Sequence, residues 1–216
     1  NHILPSEVLV TNGSITAFYL IAQTWAGKHS TIFTPSFAEY EDACRLHGHQ
    51  LSFFKNSSPL SALSFKGGGL CWICNPNNPD GKLISRSDMI GLVDSHPDTL
   101  FVIDQVYSDF CMEHLFDLED IHRYPNLILV QSISKLHKIP GVRIGYVAAS
   151  EDLISKIQPK LIPWSVNAFA IEAGKYTLQH PEQFCLPLQQ WLDESLRLQS
   201  QIRQLGIEVY PSSVPF

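Results

Sequence analysis

Clusters of basic residues, long apolar runs and a dense set of cysteines are all missing from this chain, and each absence excludes a class of function. The 15 lysines and arginines are scattered among 21 acidic residues, giving a formal net charge of −6 and a pI near 5.8. Without a basic stripe the chain lacks the electrostatic footprint of a nucleic-acid binder, so no nucleic-acid partner is expected. No apolar run approaches the roughly 20 residues of a membrane span, and no signal-peptide pattern opens the chain. We expect no membrane partner and a cytoplasmic location. The cysteines (Cys44, Cys71, Cys74, Cys111 and Cys185) are odd in number, which argues against full pairing. Cys71 and Cys74 have C-x-x-C spacing but lie in the apolar run "GLCWIC", with no second Cys/His pair at ligand spacing. They read as buried structural thiols, and no metal site is expected. The chain starts at Asn1 rather than at a methionine and stops at "VYPSSVPF", which reads like a strand about to enter a new element. A fragment with structure missing at both ends is the expectation.

What is present is an alternation of short apolar runs with amphipathic stretches, in a chain long enough for one large domain or one domain plus part of a second. Strands are expected over 30–34, 49–54, 69–74, 99–104, 126–132 and 143–149. Several are apolar throughout, as suits a mostly parallel sheet covered by helices on both faces. Helices are expected over 14–27, 36–48 and 85–96. The first ends at a glycine, the second has Ser36 as N-cap with Glu39 three residues on, and the third opens on a serine. After Ser150 three helical stretches follow, over 151–161, 166–180 and 182–206. The spacing therefore predicts an α/β large domain over 1–180, then a bridging helix and the start of a smaller C-terminal domain over 181–216. The serine- and glycine-rich stretch 54–69 reads as a loop.

Four stretches carry chemistry, three of them directly after expected strands, and in an α/β sheet ligands bind at the carboxyl ends of strands. In "VLVTNGSITAF" a turn through Gly13 opens a helix at Ser14, whose free N–H groups and positive dipole end suit an anion, although an ordinary capped helix looks the same. In "CNPNNPDGK" two prolines hold Asn78 in a rigid loop, available as a donor. In "FVIDQVYSDF" Asp104 ends a buried strand, with Tyr107 three residues on. A buried acid needs a partner: a lysine or arginine, or a protonated ring nitrogen, a metal requiring more ligands than are visible. In "QSISKLHKIPGVRIGY" Lys135 follows a strand whose burial would lower its pKa and make its amine a nucleophile fit for a Schiff base. Arg143, with Ser132 and Ser134, offers donors to a phosphate.

An anion cradle, a rigid amide, an acid suited to a ring nitrogen and a Schiff-base lysine beside an arginine match the needs of pyridoxal 5′-phosphate. In these motifs, taken in order with "TPSFAEY", the chain resembles the fold-type-I aminotransferases of class I/II, in the branch of histidinol-phosphate aminotransferase and threonine-phosphate decarboxylase. The resemblance implies the fold of the large domain of those enzymes, with pyridoxal 5′-phosphate as cofactor. It implies that Lys135 carries the Schiff base and shuttles the proton, and that Asp104 keeps the pyridine nitrogen protonated. Tyr107 and Asn78 would donate to the phenolic oxygen, Phe37 would stack on the ring, and Gly13, Ser14, Ile15, Ser132, Ser134 and Arg143 would form the phosphate cup. Asn167, in "PWSVNAFA", would approach the substrate carboxylate.

The expected function is that of an aminotransferase acting on an amino acid or amino-acid phosphate, exchanging an amino donor with a 2-oxo acid acceptor by a ping-pong route. A threonine-phosphate decarboxylase is the alternative enzyme, and a non-catalytic regulatory domain that binds the cofactor is the alternative from another class. The resemblance also implies a homodimer with its active site built across the two-fold interface.

Overall fold

The computed structural model describes residues 3–65 and 67–216. Asn1, His2 and Lys66 lie outside the described residues, so the loop expected over 54–69 is described except at Lys66. In chain order the elements are β1 (Val8–Thr11), α1 (Gly13–Thr24), β2 (His29–Thr34), α2 (Glu39–Leu46), β3 (Gln50–Lys55), β4 (Leu70–Cys74), α3 (Arg86–Ser95), β5 (Leu100–Asp104), α4 (Asp120–Arg123), β6 (Leu127–Ser132), α5 (Ile133–Leu136), β7 (Gly145–Ala149), α6 (Glu151–Ile157), α7 (Ala168–Gln179) and α8 (Leu188–Gln204).

The strands form one seven-stranded sheet in the order β1-β7-β6-β5-β4-β2-β3. Neighbours pair in parallel except that β7 runs against both β1 and β6. The expected α/β architecture, a mostly parallel sheet sandwiched by helices, is what the chain adopts. Alternation along the central strands sends Leu70, Trp72, Val102, Ile128 and Val130 to the face covered by α1, α2 and α6. Cys71, Ile73, Phe101, Ile103, Leu127 and Leu129 go to the face covered by α3 and α4. Both faces are dry, which explains why these strands read as continuous apolar runs.

Several boundaries differ from expectation. The second helix starts at Glu39 with Ala38 as its N-cap, because Ser36 is drawn away: its Oγ donates to Asn77 Oδ1 at 3.0 Å. The first helix starts at Gly13 with Asn12 as N-cap, so Ser14 lies inside it, and it ends at Thr24, short of Gly27. Ser85 does cap α3, accepting from the Asp88 N–H. Arg143 precedes β7 in a left-handed conformation, φ 62°. Residues 209–216 form no strand; Ser213 N–H donates to the Gly81 carbonyl at 3.1 Å, and Val214 is buried with Cys111 and Leu115. All five cysteines are free, Cys71 and Cys74 being buried and Cys185 exposed. Among the described residues no helix is long and apolar enough to cross a membrane.

Candidate active site

The register of the sheet gathers the predicted residues at one edge. The carboxyl ends of β1, β4, β5 and β6 point the same way, and because β7 is reversed it is its start that reaches that edge. Gly145 pairs with Thr11 on one side and Ser132 on the other, which brings the start of α1, the start of α5 and Arg143 together. Gly145 has to be a glycine: a Cβ there would lie 2.7 Å from Ser14 N and 2.8 Å from the Gln131 carbonyl. On the other side Cys74 pairs with Asp104, placing the loop after β4 over the end of β5.

At this edge lies a cavity of about 140 Å³. Ser14, Ile15 and Phe37 line it together with Ser132, Ser134, Lys135 and Arg143. Cys74, Asn78, Asp104, Val106 and Tyr107 complete it. Every predicted cofactor-binding residue except Gly13 lines this one space, and Gly13 lies directly behind it against Arg143. Asn167 does not line it. Its Oδ1 accepts from Ala170 N–H, capping α7, and its Nδ2 donates to the Val142 carbonyl, one residue before Arg143.

One end of the cavity is built for an anion. No side chain caps the N-terminus of α1, so its first N–H groups and the positive end of the helix dipole face the site unneutralised. Ser132 and Ser134 share a hydrogen bond of 2.7 Å between their hydroxyls, and Ser132 caps α5. Arg143 is tethered through Nη1 to the Pro140 carbonyl at 3.1 Å.

The middle is rigid. Asn75 is locked to Ile84 in both directions at 2.9 Å, its amide donating to the carbonyl and its oxygen accepting from the N–H. Asn77 donates to Pro35 and Asp80. The loop so pinned sets Asn78 Nδ2 at 3.5 Å from the Tyr107 hydroxyl. Lys135 Nζ lies 5.5 Å from the centre of the Tyr107 ring. Lys135 itself is exposed, which corrects the expectation of a buried amine: α5 carries it past the strand end into solvent.

The other end holds Asp104, 3% exposed. Its Oδ1 accepts from Val106 N–H at 3.0 Å and its Oδ2 from the Tyr40 hydroxyl at 2.5 Å. Among the described residues its direct partners are thus a phenol and a backbone amide rather than the expected cation. Burial pushes its carboxyl up to about 6, against the opposing effects of those two hydrogen bonds and of the Lys135 charge. Tyr40 was not read from the sequence as a site residue, although it stands three positions after Phe37 in "TPSFAEY", the interval that puts two residues on one helical face.

This set of donors fits pyridoxal 5′-phosphate. The close approach of Gly13 to Arg143 leaves a cradle that a Cβ would fill, and a buried carboxylate without a cation partner borders the opposite end of the same cavity. Among the described residues no group of three or more His, Cys, Asp or Glu side chains could hold a metal ion.

Comparison with known proteins agrees with this geometry. The chain is 27% identical to a histidinol-phosphate aminotransferase of Thermococcus gammatolerans over 98% of its length. It is 30% identical to histidinol-phosphate aminotransferase 1 of Carboxydothermus hydrogenoformans over 99%. It spans 62% and 63% of those two proteins. The crystal structure of L-threonine-O-3-phosphate decarboxylase from Porphyromonas gingivalis superposes with a TM-score of 0.96 at 43% identity, covering 99% of this chain and 66% of that one. With residues 2–213 matching aminotransferase class I and II as a family, over the same stretch that builds the cavity, the chain belongs to that family, whose cofactor is pyridoxal 5′-phosphate.

Proposed function

We propose that the chain provides the cofactor-binding part of an enzyme acting on an amino-acid phosphate, and that its reaction is decarboxylation of L-threonine O-3-phosphate. The observation that carries the choice of reaction is the 43% identity to the Porphyromonas gingivalis decarboxylase across 99% of the chain. On that ground the order of the two enzyme readings drawn from sequence is reversed. Transamination between an amino donor and a 2-oxo acid is the second reading, favoured by the histidinol-phosphate aminotransferases at 27% and 30% identity.

When bound, the cofactor supplies a conjugated ring that takes up the electron pair left by a breaking Cα bond. The chain's own residues do the rest. Arg143, the Ser132 and Ser134 hydroxyls and the N–H groups of Gly13, Ser14 and Ile15 bind the phosphate. Phe37 offers an aromatic surface to the ring. Asp104 would keep the ring nitrogen protonated, and Asn78 and Tyr107 would donate to the phenolic oxygen. Lys135, lining the cavity, would be the point of attachment for the cofactor's aldehyde, and its amine, in the protonated form, would be the proton donor facing the substrate's Cα. Asn167 is assigned to the substrate carboxylate through its free amide hydrogen. Residues 1–180 are the large domain on this reading, and 181–216 the bridge into a smaller one. A cytoplasmic homodimer is part of the proposal, with a second copy helping to close the site against water.

Incubating the purified protein with cofactor and L-threonine O-3-phosphate tests the reaction. Release of carbon dioxide without any need for a 2-oxo acid supports decarboxylation. Amino transfer that requires a 2-oxo acid, with no carbon dioxide, establishes the second reading instead.

A further inference from the structure

We propose that Tyr40 is the positioning residue of the site: its hydroxyl holds the Asp104 carboxylate ionised and aimed, and so sets the pH range over which the chain binds its cofactor. The inference rests on the reading that Asp104 meets the ring nitrogen. It concerns a residue to which that reading gives no role.

Tyr40 is 1% exposed, and its hydroxyl lies 2.5 Å from Asp104 Oδ2. Burial, followed by the Asp104 charge, holds its phenol well above the usual tyrosine range, so it remains a donor and the carboxylate an acceptor. The direction of the bond is therefore fixed. A donor of this kind stabilises the ionised acid, and a hydrogen bond to a charged group is among the stronger ones.

The ring cannot swing away. Phe18 meets it edge-on at 4.9 Å, and Trp72 stacks on it at 6.0 Å with 23° between the planes. Trp72 is itself pinned, its Nε1 donating to Ser30 Oγ at 3.1 Å. Ser30 in turn donates to His49 Nδ1 at 2.8 Å, because His49 Nε2 spends its proton on the Ala22 carbonyl at 2.8 Å. A buried polar chain thus runs from α1 through His49, just before β3, to β2 and β4 and so to the ring that orients the acid. The ring also touches Phe37, edge-on at 5.9 Å, so one aromatic cluster orders both the acid and the surface proposed for the cofactor ring.

The titratable groups facing Asp104 are Tyr40 from α2, Cys74 from β4 and Lys135 from α5. Burial, then the Asp104 charge, raises the Cys74 thiol, so it stays neutral. Tyr40 is the only one of the three that hydrogen-bonds to the carboxylate.

The test is the dissociation constant of pyridoxal 5′-phosphate, measured by equilibrium dialysis from pH 5.5 to 9 on wild type and Tyr40→Phe. In wild type, affinity falls as pH drops through the range where Asp104 protonates. In Tyr40→Phe that fall should begin about one pH unit higher, the size expected of a lost hydrogen bond to an ionised group, with binding roughly twofold weaker at pH 7 and approaching tenfold weaker at pH 5.5. Curves that coincide, while wild type still binds with Lys135-dependent absorbance, overturn the proposal and leave the cofactor reading standing. Absence of cofactor binding in wild type sinks both. Should Tyr40→Phe fail to fold, carbon NMR of the cofactor-free wild type decides. The Asp104 carboxyl signal, assigned with Asp104→Asn, should titrate in step with the Tyr40 Cζ signal, and independent titration of the two refutes the pairing.

Discussion

Gly13 sits so close to Arg143 that a Cβ built on it falls 2.2 Å from Nη2 of the guanidinium. The contact is specific to glycine twice over, since Gly13 also has φ +76°, a region that costs other residues of the order of 1 kcal/mol or more. Gly13→Ala should therefore push Arg143 out of place and tilt the start of α1. The expected outcome is at least tenfold weaker binding of pyridoxal 5′-phosphate. Binding of pyridoxal, which has no phosphate, should hardly change, and comparing the two ligands by dialysis checks it.

Asp104 gives a prediction of opposite sign for stability. Its pKa is raised from 3.8 to about 6 in the folded chain, so between those values the folded state binds more protons than the unfolded one. Stability from this group is then fully present below about pH 4, is lost as pH rises towards 6, and is flat above. Asp104→Asn removes that dependence. The stability of cofactor-free Asp104→Asn relative to wild type should grow by about 2 kcal/mol between pH 4 and 7, even as cofactor affinity collapses. Urea titrations of both proteins at a series of pH values measure this.

The Arg86–Asp120 pair ties the start of α3 to α4. Both guanidinium nitrogens engage the carboxylate, at 2.7 and 2.6 Å, and Arg86 also donates to the Leu115 carbonyl. Asp120 is 8% exposed at its side chain, so removing Arg86 leaves a largely buried charge. Arg86→Ala should cost about 2 kcal/mol, less than a fully buried pair because Arg86 is partly solvated. Thermal unfolding should show a drop of roughly 5 °C, with cofactor affinity unchanged at temperatures well below the unfolding transition.

Much of the fold was legible because burial on both faces turns a strand into an apolar run: β4 and β6 fall within the boundaries read from "GLCWIC" and "NLILVQS". β1 escaped notice because it has four residues of alternating burial, too short to show a period. The reversal of β7 was not legible at all, since a hydrophobic pattern carries no direction. Yet that reversal is what delivers Arg143 to the site. The strand-end residues were readable one by one because proline, glycine and acid at a strand end are locally odd. Tyr40 was not, because its role depends on a partner 64 positions away. Lys135 was placed correctly in sequence and wrongly in environment, since whether a strand-end lysine is buried depends on the neighbouring elements rather than on its own strand.

The central claim is that the cavity between α1, β5 and α5 binds pyridoxal 5′-phosphate with Lys135 as the attachment point. Borohydride reduction of the protein in the presence of one equivalent of cofactor, followed by peptide mass spectrometry, tests it directly. The account predicts a single label, on Lys135, absent from Lys135→Ala. Label spread over other lysines, or undiminished in that variant, would contradict it.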